Sequence, residues 1–309
     1  MPAIITHHLF GEDAAARLPE GLVSGEEELL AFLLGNQGPD PLWARFVTLP
    51  KQAALCHRLA DEMHAGRVAQ ALFAFREAVN HLPEDDRPVG RAFCLGLVAH
   101  YVLDRAEHPF VFAQQDALCQ GNPELEGLQG DVHGVIESEL DTWMLWSQRG
   151  LTVEDAPTPG NLARTKRITR VAGALFSQVA WQVFGIEVGA DAYTKSVRDY
   201  ELAYALVDPA PSARTEAVVH LERLLMGHSK LMSLAHYVTW DDECPAANLD
   251  RHPWTDPATG EVRTDTFADL YFDSLDLWPA FAEAFVRGDQ AAFEELAGGI
   301  NYSGQPEKE

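Results

Sequence analysis

In the stretch Leu97-Val98-Ala99-His100-Tyr101-Val102-Leu103-Asp104-Arg105-Ala106-Glu107-His108-Pro109, three residues able to bind a metal recur at every fourth position. The run is mostly apolar and has no Gly or Pro between Leu97 and His108, so it reads as a helix. Residues four apart on a helix lie one above another, which puts His100, Asp104 and His108 on one face. Pro109 is then expected to end or kink the helix. A second helix-like stretch, Asp131 to Asp141, offers His133, Glu137 and Asp141 at the same spacing. Two such ladders facing each other make a pocket of nitrogen and oxygen ligands, and a chain that builds one has to bring two long helices side by side.

The rest of the chain supports a helical fold. Ser24 and Glu27 form a capping-box pattern ahead of Glu28–Leu34, and Gly35 closes that helix. In the following loop Asp40 lies between Pro39 and Pro41, which restrain its backbone and disfavour helix before Pro41. Pro50 suits the first turn of a helix to about His64, and Gly66 separates it from another to about His81. Beyond the central helix, 110–130 reads as looser, and the His133 helix runs to about Gln148. Asn161 is a candidate cap for a helix to about Phe184. Further helices cover Ala190–Val207 and Ala213–Tyr237, a Pro-, Gly- and Asp-rich loop spans Asp241–Thr264, and a last pair of helices runs from Phe267 to Leu296. Strand-like alternation is nearly absent and there is no repeat. The expectation is an all-α fold, one compact multi-helix domain over 1–309, with the metal motifs inside 1–141 and a helical remainder, 142–309.

Composition narrows the partners. At 309 residues and 47% hydrophobic, the chain can bury a core, and a formal charge of −24 opposes a Lys/Arg footprint for long nucleic acids or adsorption to anionic membranes. Bound divalent cations would reverse that locally where carboxylates cluster, so a phosphate ester remains an admissible ligand. The four cysteines contain no CxxC pair, which argues against a thiolate zinc site or a redox motif. No secretory leader and no bilayer-length apolar run is evident, and the expectation is a soluble cytoplasmic protein with no transmembrane segment.

Twelve histidines need sorting. The pairs His57/Asp61 and His81/Asp85 also stand four apart, which shows how readily a two-residue pattern arises by chance. His220, His228 and His236 recur every eight residues on an expected helix and read as polar decoration. The His100 ladder differs because three ligands are stacked and a second ladder follows.

The His100–Pro109 and His133–Asp141 stretches, together with Thr6-His7 and Gly38-Pro39-Asp40, resemble the bacterial zinc-dependent phospholipase C family. The wider superfamily includes glycosylphosphatidylinositol phospholipase D catalytic domains and the P1 and S1 nucleases. The resemblance implies an α-helical domain holding two to three zinc ions. One is implied at Asp40, His64, His100 and Asp104, with Asp104 bridging to a second; His108, His133 and Glu137 hold another, and His7 with Asp104 the third. His57, on the same helix as His64, is the alternative ligand there. Secreted members add the amino group of an N-terminal Trp to the third ion, and this chain instead begins Met1-Pro2.

The chemistry implied is hydrolysis of a phospholipid or another small phosphodiester. Zinc ions roughly 3.5–4 Å apart can share a water, lower its pKa, clamp the phosphate oxygens and stabilise the leaving alkoxide. Asp40 is the implied catalytic base. Arg105 lies about 100° round the helix from Asp104 and receives no phosphate-binding role. A nuclease or small-molecule phosphatase on the same cluster, and a metal-binding protein without catalysis, are the alternatives.

Overall fold

The apolar run around His100 belongs to a helix far longer than the metal ladder needs, and the other helices pack against it. The computed structural model describes residues 4–226 and 229–308, and in these it is almost entirely helical. The central helix α5 (Arg87–Gly121) follows α1 (Ile4–Ala15), α2 (Gly25–Gly35), α3 (Pro50–Ala65) and α4 (Val68–Ala78). After it come α6 (Gln129–Arg149), α7 (Lys166–Phe184), α8 (Ala192–Val207), α9 (Ala213–Met226), α10 (Phe267–Arg287) and α11 (Gln290–Ala297). The loop before α10 carries a small antiparallel pair, β1 (Trp254–Thr255) and β2 (Val262–Arg263), with Trp254 opposite Arg263.

From Val89 to Asp104 nearly every residue of α5 is buried, since α1, α2, α4, α6, α7 and α10 all pack against it. A helix buried on all sides reads as apolar all round. The crossing with α2 is made at backbone contact. A Cβ on Gly35 would lie 2.1 Å from the Phe93 carbonyl oxygen, and one on Gly96 2.1 Å from that of Phe32. Any side chain at either glycine would push the two helices apart.

Several local expectations change. Pro109 does not end α5, which runs on to Gly121, so the first part of the expected loose region is helix. The Ser24 side chain makes no cap hydrogen bond. Its backbone N–H donates to Glu28 instead (2.9 Å), while Glu27 reaches across to Thr165 and Arg167. Thr165, not Asn161, caps α7, accepting from Ile168 N (3.2 Å). The helix expected to reach Tyr237 is described to Met226, and Leu231–Leu234 is a short 3-10 segment instead of its continuation. His228 lies outside the described residues, as do Met1 and Pro2.

The segment after α11 folds back over the end of α3. Asn301 Nδ2 (3.2 Å) and Lys308 N (3.0 Å) both donate to the Ala65 carbonyl, and Glu307 accepts from Val68 N (3.0 Å). Tyr302 lands with its ring 5.0 Å from that of His64 and 5.6 Å from that of His100.

Candidate metal centre

Three elements deliver the first group of donors. Asp40 opens a 3-10 turn, Asp40–Ala44, where a plain loop was expected. Gly38 sets it up: its φ is +57°, and a Cβ there would lie 2.1 Å from the His100 ring. Only glycine combines that backbone with that approach. His64 comes from the last turn of α3, His100 and Asp104 from α5. One donor atom from each of Asp40, His64, His100 and Asp104 lies within 4.8 Å of every other, and all four residues are buried. His57 is not among them.

The atoms in this group approach without bonding. His64 Nε2 lies 2.9 Å from Asp40 Oδ1, and His100 Nε2 lies 3.4 Å from Asp104 Oδ2. Yet these four buried atoms make no hydrogen bond among the described residues. Close donors that do not point at one another are converging on a shared point, as ligand atoms do around a cation. The rings' other nitrogens are occupied. His64 Nδ1 donates to the Ala60 carbonyl (2.8 Å) and His100 Nδ1 faces the Asn36 carbonyl (3.2 Å). Each ring thus presents an Nε2 lone pair, the tautomer a metal requires.

The second group is His108, His133 and Glu137, from facing turns of α5 and α6. His133 Nε2 is 3.0 Å from Glu137 Oε1 and His108 Nε2 3.8 Å from the same oxygen. Their Nδ1 atoms are again engaged, His108 with the Asp104 carbonyl and His133 with Gln115 Oε1, both at 3.1 Å. Asp104 joins the groups: Oδ2 faces the first, and Oδ1 lies 3.4 Å from His108 Nδ1 and 3.1 Å from His7 Nε2.

His7 stands beside these groups rather than in either. Its Nδ1 is 3.2 Å from His100 Nδ1, so the two nitrogens can share only one proton. With that proton on His100, His7 Nε2 carries its own and donates to Asp104. The charges agree with this assignment. Burial works most strongly against a charged His7, but its bond to Asp104 together with the charges of Asp104, Asp40 and Asp141 outweighs burial and raises its pKa. Burial dominates at His100, lowering it to about 4 against the pull of Asp104 and Asp40, so that ring is neutral. Burial opposes ionisation of Asp104, yet the surrounding histidines, His108 and His100 foremost, hold its carboxyl below the usual range.

Three neighbours went unread in the sequence. Gln115 fixes the His133 ring and lies seven residues, two helical turns, beyond His108, so the ladder's own period pointed to it. Asn36 faces His100 with its carbonyl and donates from its side chain to the His7 carbonyl. Glu107 lines a cavity of about 10 Å³ with His7, Asp104, His108 and Glu137, and burial, reinforced by Asp104, Asp141 and Glu137, pushes its carboxyl well above the usual value.

Asp141, the third rung of the second ladder, joins neither group. It instead binds the start of α1 and the ring of His236, which is 1% exposed and so no surface decoration. Arg105 also turns away, donating to the Leu296 carbonyl (3.0 Å).

A cleft of about 350 Å³ opens onto both groups, lined by Trp43, His64, His108, Phe112, His133 and Lys308 among others. Trp43 covers His64, ring centroids 4.2 Å apart, and donates Nε1 to Asp61 (2.8 Å). The class the fold and site define is an all-helical domain with two buried His and Asp/Glu groups positioned to chelate metal ions. No protein family, curated protein or solved structure matches the chain. Among the described residues no helix is long and apolar enough to cross a membrane.

Proposed function

We propose that the chain is a zinc-dependent phosphodiester hydrolase of the phospholipase C type, with Asp40 as its base, formed by residues 1–309 as one domain. The observation that carries the reading is Asp104, whose Oδ2 faces the first donor group while its Oδ1 lies 3.4 Å from His108 of the second. The donor set of four histidines and three carboxylates, without thiolate, suits zinc among the common cations. Bound ions would supply a water of lowered pKa and positive charge for the phosphate oxygens.

The residues of the chain do the rest. His64, His100 and His133 are held by Ala60, Asn36 and Gln115 in the orientation that keeps their Nε2 lone pairs on the site. His7 holds Asp104 by a proton on Nε2, which makes it an orienting group here and leaves two ion positions rather than three. Asp40 is rigidly placed between Pro39 and Pro41 and accepts the proton of the attacking water. Trp43 and Phe112 wall the cleft and exclude bulk water beside the reacting phosphorus.

The test is hydrolysis of a chromogenic phosphodiester and of short-chain phosphatidylcholine by zinc-loaded protein. Chelation should abolish it, and Asp40→Asn should reduce the rate by about 10²-fold or more, the scale of a lost positioned base. Inactivity of the fully metallated wild type on every phosphodiester tried would leave a metal-binding protein without this chemistry.

A further inference from the structure

Beside the donor groups, and unused by them, lies another buried cluster, which shares α6 with them through Asp141. His236 sits between two carboxylates, with Nδ1 2.7 Å from Asp208 Oδ2 and Nε2 3.1 Å from Asp141 Oδ2. Its backbone N–H donates to Asp208 Oδ1 (2.8 Å), Thr158 Oγ1 lies 3.2 Å from Nδ1, and the Tyr204 ring stacks on it at 8°. On the far side Asp141 gathers the start of α1. Oδ2 accepts from Ile5 N (2.9 Å), and Oδ1 accepts from Thr6 N and Thr6 Oγ1, both at 2.7 Å.

We propose that His236 is a positioning residue of the metal centre: through Asp141 it fixes the first turn of α1, and thereby the aim of His7 at Asp104. The path is short. Thr6 is bound by Asp141, and the next residue, His7, donates to Asp104 Oδ1. A carboxylate at a helix N-terminus is held by the first free N–H groups and by the helix dipole, so it sets both the position and the rotational phase of that turn. The three bonds from Ile5 and Thr6 tie Asp141 to α1 alone, and α1 can shift with it. A ring anchored at its other nitrogen by Asp208 removes that freedom. Side chains that orient ligand-bearing groups in this way usually govern metal affinity by about 10–100-fold.

The proposal rests on the metal-site reading for one of its two readouts only. The first readout uses metal-free protein and the ring-nitrogen NMR signals of its histidines. Thr6→Val removes one hydrogen bond to Asp141 at nearly constant shape, and His236→Gln removes the doubly anchored ring. In both, the His7 Nε2–H signal should lose the shift of a hydrogen-bonded proton, and Thr6→Ser should restore it. The second readout is zinc competition with a chromogenic chelator. Zinc should bind about 10-fold more weakly in Thr6→Val, with Thr6→Ser close to the wild type.

An unaltered His7 signal in Thr6→Val overturns the proposal, as does a loss of zinc affinity that Thr6→Ser does not reverse, which would mark a general loss of packing. Should His236→Gln fail to fold, Asp208→Asn, which weakens the ring's second anchor, is read by the same His7 signal. A wild type that binds no zinc would sink the hydrolase reading, while the His7 signal would still test the positioning.

Discussion

Glu137 and Asp141 are one turn apart on the same face of α6, yet they belong to two different kinds of buried polar cluster. Around Asp141 each oxygen meets donors that point at it, and the imidazole between Asp141 and Asp208 uses both of its nitrogens. Around Asp104 and Asp40 the atoms approach as closely but Asp40 Oδ1, His64 Nε2, His100 Nε2 and Asp104 Oδ2 bond to nothing among the described residues. An unsatisfied buried polar atom costs about 1–3 kcal/mol, so four together are tolerated where something else completes them. Spacing alone made the two clusters look alike. Direction of the donors separates a cation site from a closed ionic bridge.

The largest expected effect exploits this difference. Elemental analysis should find two zinc ions per chain, and each should stabilise the fold by about 4 kcal/mol when free zinc exceeds its Kd about 1,000-fold. Asp104→Asn should lose at least one ion and melt lower in zinc, and in chelator it should melt lower by a smaller margin, because the histidines that hold the Asp104 carboxyl below the usual range lose their charge partner. A variant as stable in zinc as the wild type, with full metal content, would break the assignment of Asp104 to both groups.

Asp141→Asn should behave in the opposite way. Breaking a buried charged pair costs about 3–5 kcal/mol, and here that loss should already appear without zinc in urea melts, with zinc adding only the roughly 10-fold weakening expected of a mis-aimed His7. A loss seen only in zinc would mean that Asp141 belongs with the metal ligands after all.

The bridge also has a pH signature. Burial opposes charge on His236, but Asp208 and Asp141 overcome it and raise its pKa to about 10 from 6.5. The folded state therefore holds the proton more tightly than the unfolded chain. Its contribution is fully present below about pH 6.5 and is lost as pH rises through about 10. The stability gap between metal-free wild type and His236→Gln should close over that window; a gap that widens with pH would show that the ring is neutral.

The smallest effect is the sharpest control. His57 shares α3 with His64 but joins no donor group. His57→Gln should leave zinc content unchanged, whereas His64→Gln should lose an ion.

What could be read from the sequence follows from the range over which each interaction acts. His100, Asp104 and His108 were legible because helical period alone aligns them, and the same period would have reached Gln115. Asp40 was legible through its two prolines, though not its 3-10 turn, which depends on Gly38 packing against His100. His236 was not legible, because its partners lie 28 and 95 residues away and no local pattern joins them. Its repeat with His220 and His228 suggested one helix face, but His236 lies beyond the 3-10 segment Leu231–Leu234 and off α9. Pro109 was read from its missing N–H alone, and the structure carries α5 past it.

The C-terminal segment gives the centre an order of assembly. Both donor groups are encoded between Asp40 and Glu137, but Tyr302 and Lys308 close the cleft beside His64 only when the last stretch of chain docks on Ala65. At about 5–20 residues per second of synthesis, the remaining 170 or so residues take roughly 10–30 s to follow Glu137 from the ribosome. During that interval the α5–α6 pair can meet a cation while its donors are still open to water. Ion capture can then precede closure, and the finished cleft would slow exchange of an ion it did not need to admit.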